Sequence, residues 1–167
     1  LENARLFGET QRLLHETEKR SSELAVINSV QRGMAEKLDF QAIIDLVGDK
    51  LRELFASDDL SIMWIDLGAG LQRPLYVYEH GRRLTIAPSP LEPNRLVVRE
   101  LAAGRTVVAR NRAAMKAVGL RIVAGTDIAL SCVFVPVMIG GQLRATISLE
   151  SFAREDAFDE DAVSLLS

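Results

Sequence analysis

The chain has 167 residues, a net charge of −3 and a single cysteine, which suits one well-buried domain and excludes an internal disulfide framework. Acidic and basic residues are interleaved, with no long basic run and no base-stacking cluster, which argues against nucleic-acid binding. No apolar stretch reaches about 18 residues, so no membrane contact is expected of this segment, and it reads as cytoplasmic.

The chain opens on Leu1 and enters a helical pattern at once, so it reads as a segment cut from a longer protein. Residues 1–37 hold no proline and are rich in charged and long side chains, which favours helix. Leu6, Leu13, Ile27 and Met34 share one seven-residue register, with Arg20 as its polar member, and Leu24 and Leu38 supply a second seam. That is the a/d pattern of a coiled coil, interrupted at Thr10, Thr17, Arg20 and Gln31. Residues 1–38 are therefore expected to be a linker helix that pairs with its copy in a homodimer. A helix folded back on its own domain, or broken near Ser21-Ser22 or Gly33, stays open.

Asp39 is placed to cap a second helix, with Phe40, Ile43, Ile44, Val47, Leu51 and Leu54 on one apolar face. Leu60–Leu67, Leu71–Glu79 and Arg82–Ala87 predict a three-stranded meander, and Pro74 inside the second strand marks an edge or a bulge. Pro88, Pro90 and Pro93 predict an irregular loop. A short helix over Leu96–Ala103, a strand over Thr106–Ala109 and one or two helical turns over Asn111–Val118 follow. Ser131–Ile139 and Leu143–Leu149 flank Gly140-Gly141, a hairpin signal. Asp159 or Asp161 starts a last helix, expected to be cut short at Ser167. The whole is α/β of the α+β kind: a mostly antiparallel sheet of five or six strands with flanking helices.

In their order along the chain, FQAIIDLVGDKLRELF, LSIMWIDL, VFVPVMIGGQLRATISLES and AFDEDAVSLL resemble the GAF domain family over residues 39–167. LENARLFGETQRLL and ELAVINSVQRGMAEKLD resemble a helix shared with a preceding GAF domain. The resemblance implies a GAF-like (profilin-like) fold in a tandem array of a bacterial signalling protein, a sensor histidine kinase or relative with a kinase or cyclase output domain. It implies a non-catalytic sensory module that binds a small molecule or partner and relays the change through dimeric flanking helices to adjacent domains. A ligand-free dimerisation and spacing module is the alternative. A free methionine sulfoxide reductase comes third, because that chemistry uses several cysteines and this chain has Cys132 alone. Glu150 and Ser151 stand where cyclic-nucleotide-binding members carry Asn-Lys, which argues against that ligand, and the sequence names no cofactor.

The resemblance also implies a pocket between the sheet and the short helices after the third strand. Tyr76 and Tyr78 would line it, with Arg110, Asn111 and Asp127 as polar contacts. Each has a plainer reading: sheet tyrosines with polar tips, a strand-end charge, a helix cap and a turn residue. His15 and His80 make no recognised metal-ligand spacing, no nucleophile-base pair is visible, and the acidic run from Glu150 to Asp161 reads as a solvated helix start. A sensor should enclose a cavity of roughly 300 Å3 or more in this region; a spacer should fill it with side chains.

Overall fold

The computed structural model describes residues 40–166, so the expected linker helix, with its seam and its dimer contact, lies outside the described residues. The chain divides into units 1–43 and 44–167, and the fold below is that of the second. Helix α1 runs over residues 40–55. Strands β1 (Leu60–Asp66), β2 (Leu71–Glu79), β3 (Arg82–Arg83) and β4 (Ser89–Pro90) lead to α2 (Leu96–Ala102), β5 (Val107–Ala109) and α3 (Arg112–Ala117). Strands β6 (Ser131–Ile139) and β7 (Gln142–Ser151) then form the hairpin, and α4 (Glu160–Leu166) follows. No described helix is long and apolar enough to cross a membrane.

Seven strands form one sheet in the order β3-β2-β1-β7-β6-β5, with β4 also on β2, and all the pairs are antiparallel. Six of the seven match the expected strands, and the seventh is the two-residue β4. The third meander strand stops at Arg83, although Leu84 N still donates to Val77 O at 2.9 Å. The proline loop, expected to be irregular, touches β2 at Ser89–Pro90. Gly140 and Gly141 both take positive φ, 59° and 76°, as a two-residue hairpin turn of the primed type requires.

Both sheet faces are covered. Leu60, Ile62, Tyr76 and Leu149 form a core on one face, packed by Ile44, Leu51 and Phe55 of α1 and by Phe158. Ile65, Val97, Leu101, Val107 and Leu143 form the core on the other, beneath α2. The α1 stripe does not act as one face: Ile44 and Leu51 pack inward, whereas Phe40, Ile43, Val47 and Leu54 are exposed. One sheet face can receive only part of so wide a stripe.

Two irregularities set which residues face the second core. The β1–β2 register slips between Ile62 and Met63, which pair with Tyr76 and Pro74, so Leu75 is the extra residue beside the proline. The β6–β7 register slips at Val137/Met138, which pair with Ala145 and Leu143. Arg144 is the extra residue, and Leu143 turns to the face opposite Leu149.

Candidate functional site

Between the second sheet face and the α2–α3 layer lies a cavity of about 480 Å3, within the size range of small-molecule sites. Its floor is Ser61, Met63 and Ile65 of β1, Val77 and Glu79 of β2, Cys132 and Phe134 of β6, and Thr146 and Glu150 of β7. Val97, Val98 and Leu101 of α2, Arg112, Met115 and Lys116 of α3, and the 120–129 segment complete the wall. Strand alternation explains the floor: Ser61, Met63 and Ile65 share one parity, opposite to the packed Leu60 and Ile62.

The polar part of the floor is concentrated. Ser61 Oγ and Ser148 Oγ share a hydrogen bond of 2.6 Å across β1 and β7, and Ser148 Oγ also approaches Glu150 Oε1 at 3.3 Å. Burial pushes the Glu150 carboxyl up to about 7, and the nearby charge of Glu79 adds to the shift. Burial likewise raises the Cys132 thiol to about 12, with Glu150 contributing, so the thiol stays protonated at neutral pH. Glu79 is 8% exposed, and its Oε1 accepts from Asp127 N at 2.8 Å. On the opposite wall, Arg95 donates to Gly119 O at 3.2 Å and Arg121 pairs with Glu92 at 3.1 Å.

The five residues singled out from sequence fall in different places. Asp127 borders the cavity. Tyr78 borders it too, but its ring lies on the α1 face, 3.8 Å beneath the Arg52 guanidinium, so only its main chain can reach the cavity. Tyr76 does not line it: its ring is buried on the α1 side, stacks on Tyr78 at 5.0 Å and donates its hydroxyl to Asp49 Oδ1 at 2.7 Å. Parity is the reason, because Tyr76 and Tyr78 alternate with Val77 and Glu79. Arg110 pairs with Asp156 and turns toward Phe158 O, tying the strand end to the loop before α4. Asn111 caps α3, its Oδ1 accepting from Ala114 N at 2.8 Å.

The sequence reading missed Glu79, Glu150, Arg112 and Lys116. The sequence sets Glu150 at the head of the acidic run before α4, yet it is part of β7. A parity count from Thr146 and Ser148 would have placed it with them, but nothing local shows that this polar face is roofed by helices.

Residues 37–167 match the family model described as GAF domain. No curated protein matches the chain. Among solved structures, the chain is similar to a methyl-accepting chemotaxis protein fragment, residues 122 to 287, at TM-score 0.61 and 12% identity, covering 75% of this chain and 80% of that one. It is similar to the free methionine-R-sulfoxide reductase of Neisseria meningitidis, in complex with its substrate, at TM-score 0.56 and 21% identity, covering 75% and 70%. A third similar structure is the blue-light absorbing form of the Thermosynechococcus elongatus PixJ GAF domain, at TM-score 0.56 and 17% identity, covering 77% and 79%. At these identities the likeness is one of fold.

Proposed function

The chain belongs to the GAF domain family, and from that premise we propose that it is a sensory module of a signalling protein, binding a small molecule between the sheet and the α2–α3 layer. The observation that carries this reading is the cavity of about 480 Å3, apolar over most of its wall, with the Glu150 carboxyl and Ser61, hydrogen-bonded to Ser148 behind it, at its floor. Such a wall suits a compact, largely apolar ligand with a hydrogen-bond donor or a positive group for Glu150. Cys132 borders the same space but is held protonated, which supports binding over thiol chemistry. The flanking helices of a homodimer would carry the bound state to neighbouring domains, and a ligand shifts them only if it favours one arrangement over the other.

A thermal-shift screen of nucleotides, haem, flavins and small metabolites tests the reading. At least one class should raise the melting temperature of the wild type and fail to do so in Thr146→Phe, which fills the floor. If no compound stabilises the wild type, the module is a dimerising spacer.

A further inference from the structure

Glu79 ends β2, and His80 follows it in the turn to β3. On a continuous strand these neighbours would face opposite sides. His80 instead takes φ 52°, and this left-handed step brings its imidazole back beside the carboxylate. Asp127 arrives from the segment between α3 and β6. His80 Nε2 lies 3.0 Å from Asp127 Oδ2 and 3.9 Å from Glu79 Oε1, and one ligating atom from each of the three falls within 4.8 Å of the others.

The three are held from behind. Asp127 N donates to Glu79 Oε1 at 2.8 Å, and His80 N donates to Asp59 Oδ1 at 2.6 Å. The His80 ring packs on Phe152 with centroids 4.5 Å apart. Among the described residues, neither Glu79 nor Asp127 forms an ion pair with a lysine or arginine, although Arg82 sits opposite Glu79 in the β2–β3 ladder and borders the same outer cleft. The imidazole of His80 is thus the group that faces both carboxylates. Glu79 is buried, whereas His80 and Asp127 reach solvent, which provides an entry path.

We propose that Glu79, His80 and Asp127 form a binding site for a first-row divalent metal ion of the zinc class at the mouth of the cavity. Ligand atoms around a tetrahedral ion with bonds of about 2.1 Å stand about 3.4 Å apart, so small side-chain rotations complete the set. One imidazole with two carboxylates suits zinc and its neighbours better than calcium or magnesium, which take oxygen ligands, or copper(I), which takes sulfur. Three protein ligands leave a fourth position open. Glu79 and Asp127 border both the inner cavity and the outer cleft, so the ion would stand where one opens into the other. The site stands whether or not the cavity takes an organic ligand.

The test uses the full chain, stripped with chelator, titrated by calorimetry with zinc chloride alone and by absorbance with cobalt(II). The expected result is one equivalent bound, a higher melting temperature and a cobalt spectrum of a low-coordinate site. His80→Ala and Asp127→Ala should each weaken binding by at least about tenfold, with circular dichroism showing that both variants fold. His15→Ala should leave binding unchanged. Absence of zinc binding to the wild type, or binding that survives both His80→Ala and Asp127→Ala, overturns the proposal.

Discussion

Glu150 is an acid held where an acid is costly. Its carboxyl titrates near 7 in the folded chain against 4.5 for an ordinary glutamate. Between these values the folded state holds a proton that the unfolded state has lost, so stability falls as pH rises through the window. The loss is on the order of 3 kcal/mol at about 1.4 kcal/mol per pH unit. Glu150→Gln keeps the shape and removes the titration. Urea unfolding of chelator-treated protein at pH 5 and pH 8 should show the variant gaining on the wild type by about that amount at the higher pH. An equal difference at both values would mean that the carboxyl is solvated.

At the scale of the element, α1 owes its seat on the sheet to one glycine. A Cβ at Gly48 would stand 2.5 to 2.6 Å from three ring atoms of Tyr76, so the helix approaches the sheet as closely as it does because Gly48 has no side chain. Gly48→Ala ordinarily gains about 1 kcal/mol of helix propensity. Here the overlap should outweigh the gain, with a net loss of about 1–3 kcal/mol. The displaced ring would also strain the Tyr76–Asp49 hydrogen bond of 2.7 Å. Thermal unfolding decides between the two signs, and a rise in melting temperature would contradict the close packing.

At the scale of the molecule, α1 keeps apolar side chains turned away from the sheet. Leu46, Val47 and Leu54 are 61%, 41% and 63% exposed, more apolar surface than an isolated helix face usually leaves in water. The predicted seam of Leu6, Leu13, Ile27 and Met34 lies upstream, and pairing of two copies would cover both. Sedimentation at micromolar concentration should show a dimer for the full chain and a weaker one without residues 1–30. Leu54→Glu should weaken association further; monomeric behaviour of the full chain would end the proposal of a dimeric relay.

The elements were largely legible in the sequence because their signals are local. Gly140-Gly141 dictates a tight turn, Asn111 before Arg112 dictates a cap, and Pro74 sits beside the bulge it predicts. Of the candidate site, the resemblance gave the region and Asp127; most of its lining was not legible, because it depends on parity and on roofing. Tyr76 and Val77 are adjacent in sequence and lie on opposite faces of the sheet. Their alternation shows that they differ, but only the helices packed above and below decide which face holds a cavity. The extra residues at Leu75 and Arg144 then reverse the count partway along β2 and β7. Glu79, His80 and Asp127 meet because a left-handed turn and a chain segment 47 residues further on converge, a distance over which no periodicity in the sequence reports.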